Sequence, residues 1–205
     1  RKSDGARLYC INGSVQTLML RDGVSAFGYV HAAKLLARDA RAVLMIGGGG
    51  GSLASMLARR GACVTVLDVD PVAEEIARAY FDLHHGVNWL TSDPLAYIDN
   101  HHSVFDAIII DACDSEGLVS PFNKPSVIAN MLTRACPSGS LIVNVVAEDG
   151  APSWGGWMAA KLASLGFSVC LYRAEEGWEG NEVLHVRAEG PTDQLAITDI
   201  DHRPP

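Results

Sequence analysis

The run IIIDACDS sets Asp111 and Asp114 three residues apart directly after a string of isoleucines. Two carboxylates at the end of a buried strand can bind an ammonium group and take its proton, and an amine attacks only once it is neutral. The plainer reading of the pair is one acid capping a turn and one facing water. A His, Lys or Tyr proton donor of the kind a dehydrogenase needs is not found at this point. Upstream, AVLMIGGGGGSLASML (42–57) sets five glycines between an apolar run and a helix-like run. Such a turn lets a ligand approach bare backbone, and free amides at a helix start face an acceptor group. Gly47, Gly49 and Ser52 follow the dinucleotide pattern loosely, and the absence of a Lys-Ser/Thr pair excludes a Walker phosphate loop. Asp68 ends VTVLDVDP about twenty residues past the loop, where a carboxylate can accept both ribose hydroxyls. That spacing speaks for a nucleoside, whether NAD or an adenosyl sulfonium. Asp70 is placed to cap the helix beginning at Pro71. Asp93, in TSDPLAYI, is placed either to receive an adenine amino group or to start a helix.

These residues need elements to hold them. After residue 40, short apolar runs at 42–46, 63–68, 87–90, 106–111 and 140–146 alternate with helical patterns from Ser52, from Pro71, and near 94–100, 125–135 and 153–165. Runs that are apolar throughout imply strands buried on both faces, hence a mostly parallel sheet between helices. FSVCLYR (167–173) and EVLHVRA (182–188) are joined too briefly for a crossover helix and predict a terminal antiparallel hairpin. The fold class is therefore α/β: a Rossmann-like, seven-stranded, mostly parallel sheet with an antiparallel last strand. RLYCINGSVQTLML predicts an N-terminal β-hairpin turning at Asn12-Gly13, followed by a helix near 28–38. The expected organisation is an appendage over 1–38, an α/β domain over 39–190 and a polar tail over 191–205.

Composition narrows the partners. The 205 residues carry 24 acidic against 16 basic side chains, a formal net charge of −8, with no basic cluster. Nucleic acid is thereby a poor partner and a small cation a better one. Neither an apolar run of membrane-spanning length nor a signal-peptide pattern occurs, and the expectation is a soluble cytoplasmic protein without membrane contact. Five scattered cysteines without a C-x-x-C pair read as reduced, mostly buried thiols. The pairs His84-His85 and His101-His102 lack metal-ligand geometry, and no metal site is expected. His31 falls on a helix near the expected pocket. Trp154, Trp157 and Trp178 could wall an amine pocket, although packing is their commoner use. Cys113 lies between the two acids without a base partner, which argues against a thiol nucleophile.

On these residues the chain resembles the spermidine synthase (polyamine aminopropyltransferase) family, whose fold is that of class I S-adenosylmethionine-dependent methyltransferases. The likeness runs from about Gly13 to Val146. The family's GGGDGG loop corresponds to Gly47–Ser52, which implies donor contacts at Gly47, Gly48, Gly49 and Gly51. Its ribose acid corresponds to Asp68, its adenine-side acid to Asp93, its catalytic D-x-x-D to Asp111 and Asp114, and its fifth-strand polar residue to Asn144. Its early Gln and Tyr correspond to Gln16, bordering the donor, and Tyr29, in the catalytic group. The resemblance implies decarboxylated S-adenosylmethionine as co-substrate, Asp111 as base and Asp114 as the group that positions a small-molecule amine; the sequence leaves a homodimer open without deciding the oligomeric state. The chain departs from the family at Gly50, where the acid holding the donor's aminopropyl ammonium is missing, at Val30 and His31, and in DSEGLVSP. Losing a charged contact costs roughly 1.5–3 kcal/mol, so the donor is either the decarboxylated or the intact sulfonium. A methyltransferase on the same frame and a non-catalytic nucleoside-binding or dimerisation module are the alternative readings, with a nicotinamide dehydrogenase behind them.

Overall fold

The structure is a computed structural model and describes residues 5–114, 117–146, 153–173 and 180–187; the predicted tail and Trp178 lie outside the described residues. In chain order come β1 (Arg7–Ile11), β2 (Ser14–Met19), α1 (Gly28–Leu36), β3 (Ala42–Ile46), α2 (Ser52–Ala58), β4 (Cys63–Asp68) and α3 (Ala73–Tyr80). There follow β5 (Val87–Thr91), α4 (Pro94–Asn100), β6 (Phe105–Ile110), β7 (Cys113–Asp114), β8 (Gly117–Leu118) and α5 (Pro125–Leu132). The described chain closes with β9 (Ala135–Val146), α6 (Trp154–Ser164), β10 (Ser168–Arg173) and β11 (Asn181–Arg187).

The main sheet has seven strands in the order β10-β11-β9-β6-β3-β4-β5. Strands β5, β4, β3, β6 and β9 are mutually parallel, whereas β11 runs antiparallel to both β9 and β10. The uninterrupted apolar runs have the predicted cause. Val43, Met45, Val64, Val66, Ala107 and Ile109 pack on one face with α1, α2 and α3, while Leu44, Ile46, Ile108, Ile110, Leu141 and Val143 pack on the other with α5 and α6. Each fully buried Leu or Ile contributes about 1.5–3 kcal/mol, so the strand centre is the rigid part of the molecule.

Chain order places the site. From β3 the chain moves outward to β4 and β5, then returns to the other side of β3 as β6, and this reversal opens a crevice at the carboxyl ends of β3 and β6. The end of β3 is tied to both neighbours there: the Asp111 amide, just past β6, donates to the Ile46 carbonyl at 2.8 Å, and the Gly47 amide donates to the Leu67 carbonyl of β4 at 2.9 Å.

The N-terminal hairpin forms as predicted and stands outside the main sheet. Asn12 (φ 50°) and Gly13 (φ 85°) make its turn, both in the left-handed conformation that such two-residue loops require. Arg7 pairs with Asp82 at 2.6 Å and donates to the Tyr80 carbonyl at 2.8 Å, while Tyr9 lies 6.2 Å from Phe81. These contacts dock the hairpin onto the end of α3.

Two expectations fail. The cysteines are not mostly buried: Cys10 and Cys63 are exposed and Cys113, Cys136 and Cys170 half-buried, because they fall on the N-terminal hairpin, on the short β7, near the starts of β4 and β9, or on the edge strand β10. The third helix begins at Ala73 rather than Pro71, since Asp70 accepts from the Val72 amide at 3.0 Å and holds residues 71–72 in a turn. Among the described residues no helix is long and apolar enough to cross a membrane.

Candidate active site

Two cavities meet at the crevice. One, of about 350 Å³, runs over the glycine loop and is lined by Tyr9 and Ile11 from β1, Asp68, Asp70, Asp93 and Val119 to Phe122. The other, of about 370 Å³, is lined by Ser14, Val15, Phe27, Tyr29, Asn144 and Asn181. Gln16, Gly49, Asp111 and Cys113 line both, and so mark the boundary between them.

Asp111 follows the last residue of β6. The Asn144 amide Nδ2 donates to its Oδ1 at 2.8 Å, and the Tyr29 hydroxyl also hydrogen-bonds the carboxyl. Tyr29 is held in turn by stacking on Phe27, ring centroids 5.7 Å apart. Burial strips water from the carboxylate and pushes its pKa up to about 6, against the opposite pull of the bonds from Asn144 and Tyr29. A carboxylate so shifted is a stronger base than one in water. Asp114 falls on β7, and its side chain lies outside the described residues.

Around the first cavity the acids hold the backbone as well as facing the space. Asp68 accepts from the Gly48 amide through Oδ2 at 2.9 Å and from the Asp70 amide through Oδ1 at 3.0 Å. Asp93 is the N-cap of α4, its Oδ1 accepting from Leu95 at 2.8 Å and Ala96 at 3.0 Å. The helix-start reading of Asp93 holds, since its side chain caps α4, and the residue also lines the cavity. Gly47 has φ 82° and a Cβ there would lie 2.3 Å from the Asp111 carbonyl oxygen, so bare backbone lets the loop abut the end of β6. Gly48 and Gly51 line neither cavity: a Cβ on Gly48 would strike Trp89, and Gly51 turns the chain into α2 against Leu83.

Gly50 has a different setting. Its amide donates to the Thr17 hydroxyl at 2.8 Å, and a Cβ on it would stand 2.9 Å from Thr17 Cγ2 and 3.0 Å from Phe81 Cγ. Hairpin and α3 have closed over the position where a side chain would begin.

Other expected contributors sit elsewhere. His31 is exposed and hydrogen-bonds the Ser25 carbonyl at 2.8 Å, because two residues along a helix from Tyr29 is the opposite face. Trp154 packs against the core beside α5 and Trp157 is 41% exposed; neither lines a cavity. Tyr9, Thr17 and Asn181 were not legible as site residues. Tyr9 and Thr17 read locally as hairpin residues, and only the strand order brings Asn181 to the crevice.

The comparisons agree with this architecture. A family model described as the Spermine/spermidine synthase domain matches residues 29–148. An eEF1A lysine and N-terminal methyltransferase homolog of Drosophila pseudoobscura pseudoobscura is 30% identical over 157 residues, 70% of this chain and 23% of that protein. A polyamine aminopropyltransferase of Thermococcus onnurineus is 29% identical over 119 residues, 54% of this chain and 42% of that protein. The chain thus spans less than half the length of either relative. The solved structure of human Methyltransferase-like protein 13 in complex with SAH superposes with a TM-score of 0.61 at 24% identity, covering 84% of this chain and 86% of that one, a likeness of fold. With 120 consecutive positions matched to one family model across the crevice that carries Asp68, Asp93 and Asp111, the chain belongs to the spermine/spermidine synthase domain family.

Proposed function

We propose that the chain is a transferase that alkylates an amine with the electrophilic carbon of an adenosyl sulfonium, and that the group transferred is aminopropyl. The observation that carries this reading is Asp111, a desolvated carboxylate on the boundary between two cavities. The adenosine would lie over the glycine loop, its ribose at Asp68 and its adenine at Asp93, with the sulfonium near Gln16 and Gly49. The amine would enter between Phe27, Tyr29 and Asn144. Asp111 takes the proton from nitrogen, the nitrogen lone pair forms the new C–N bond, and the C–S bond breaks to release neutral methylthioadenosine. Its raised pKa narrows the gap between carboxylate and ammonium across which the proton must move.

Charge supports the decarboxylated donor. Among the described residues the acidic side chains lining the cavities are Asp68, Asp70, Asp93 and Asp111, with no Lys or Arg. A dication suits this lining, whereas the carboxylate of intact S-adenosylmethionine meets no cation there. The second reading, methyl transfer from the intact donor, is favoured by Gly50, where no acid waits for an aminopropyl ammonium.

The test is thermal stabilisation by each donor, followed by mass analysis of products from an amine panel. A donor at about 100 times its dissociation constant adds roughly 2.7 kcal/mol. Greater stabilisation by the decarboxylated donor and an aminopropylated product are expected. A methylated product would establish the second reading, and binding without turnover would return the chain to a non-catalytic module. In either reaction, Asp111→Asn should lower turnover by about 10²–10⁴ with donor stabilisation retained.

A further inference from the structure

Because β11 runs antiparallel to its neighbours, its first residue arrives at the edge where β6 and β9 end. Asn181 pairs in register with Val146, and Val183 with Asn144. Asn181 and Asn144 are therefore diagonal neighbours on one face of the sheet. Asn181 Nδ2 donates to Asn144 Oδ1 at 2.9 Å, and Asn144 Nδ2 donates to Asp111 Oδ1 at 2.8 Å. Three polar side chains from three adjacent strand ends thus form one chain of hydrogen bonds, with every donor pointing toward the carboxylate. Asn144 is 6% exposed, so its amide has little water to turn to.

The direction of the chain has chemical content. An ionised carboxylate only accepts, and a carboxamide facing it must present N–H; if the amide turns over, its oxygen faces Asp111 and favours the protonated acid. Two contacts oppose that turn. Asn181 fills the Asn144 oxygen with a donor, and the Cys113 thiol donates to the Asn144 backbone carbonyl at 3.5 Å, leaving its sulfur to face Asn144 Nδ2 at 4.0 Å.

We infer that Asn181 is a positioning residue that locks the Asn144 amide with its N–H toward Asp111 and so holds the base in its proton-accepting form. This rests on the reading of Asp111 as the base. Among the described side chains, Tyr29 from α1 hydrogen-bonds Asp111, Cys113 from β7 borders both cavities with it, and Tyr9, Asp68, Asp70 and Asp93 line the donor cavity that it also borders; Gln16, Asn144 and Asn181 are neutral. Glu182, the next residue on β11, faces the other side of the sheet, where Ser153 donates to it and Arg173 pairs with it.

The experiment is a carboxyl ¹³C NMR titration of Asp111 in the unliganded chain, for the parent and for Asn181→Ala, Asn181→Asp, Asn144→Ala and the Asn181→Ala/Asn144→Ala pair. Asn181→Ala should raise the Asp111 midpoint by about half a unit, and lower kcat/KM about threefold more on the acid limb than on the alkaline plateau. Asn181→Asp, of the same size but able only to accept, should raise it further. In the Asn144→Ala background the Asn181→Ala change should move nothing, since the link is already cut. An Asp111 midpoint unmoved by Asn181→Ala, or moved equally in both backgrounds, overturns the inference. The titration needs no turnover, so failure of the proposed reaction would be seen separately, as absence of product from the parent chain.

Discussion

At the scale of single residues, the candidate base is a burden on the fold. The Asp111 carboxyl has a pKa of about 6 in the folded chain against an ordinary value of 3.8. Between those values the folded state binds more protons than the unfolded one, so stability falls as pH rises from about 4 to 6 and is level above. The shift corresponds to up to about 3 kcal/mol. Asp111→Asn should therefore melt higher than the parent at pH 8, with the difference shrinking toward zero near pH 4. A melting difference that is constant across that range would mean that the carboxylate is not destabilised by its site. With Asp111 as the proposed base, a pH–rate profile should show turnover falling below about pH 6 as the carboxylate is protonated. Asp106 shows the contrast: bonds from the Arg41 and Ala42 amides, at 2.8 and 2.9 Å, hold its carboxyl below the usual range. That acid ties β6 to the start of β3 and serves the fold alone.

At the scale of elements, the turn after β3 is the part with least freedom. Gly47 meets the Asp111 carbonyl through a space that a methyl group cannot enter, and its φ of 82° disfavours any L side chain. Gly61, between α2 and β4, has φ 95° but open space around its Cβ position. The two glycines separate strain from contact. Gly61→Ala should cost about 1 kcal/mol from backbone conformation, and Gly47→Ala about 3 kcal/mol or more, since the ends of β3 and β6 must also move apart. Urea unfolding of both variants checks this, and equal losses would show that the close approach to Asp111 carries no weight.

At the scale of the whole molecule, the hairpin decides whether the crevice is a groove or a closed site. Tyr9 and Ile11 line one cavity, Ser14 and Val15 the other, and Gln16 both, while Thr17 binds the glycine loop. It is attached through Arg7, Tyr9, Thr17 and the packing of Leu18 on the core, while most of β1 is exposed and pairs with β2 alone. Hydrogen exchange of the β1–β2 amides should accordingly be fast in the free chain and slow on adding donor, while the β3 and β6 amides stay protected throughout. Hairpin exchange indifferent to donor would detach the hairpin from the site.

The strands, their order of appearance, the Asn12-Gly13 turn and the acids at successive strand ends were legible in the sequence, because each follows from local pattern: unbroken apolar runs, glycine where φ is positive, and carboxylates just beyond the apolar residues. What only the tertiary structure decided is which groups meet across strands far apart in the chain. The raised pKa of Asp111 needs burial that no local pattern encodes, and the Gly50 position is closed by Thr17 and Phe81, respectively 33 residues before it and 31 after it. Asn181 reaches Asn144 because β11 inserts antiparallel between β9 and β10, which is a consequence of how the last hairpin packs. Side-chain periodicity is set by the nearest few residues, whereas desolvation and hydrogen-bond partners are set by packing of the whole chain.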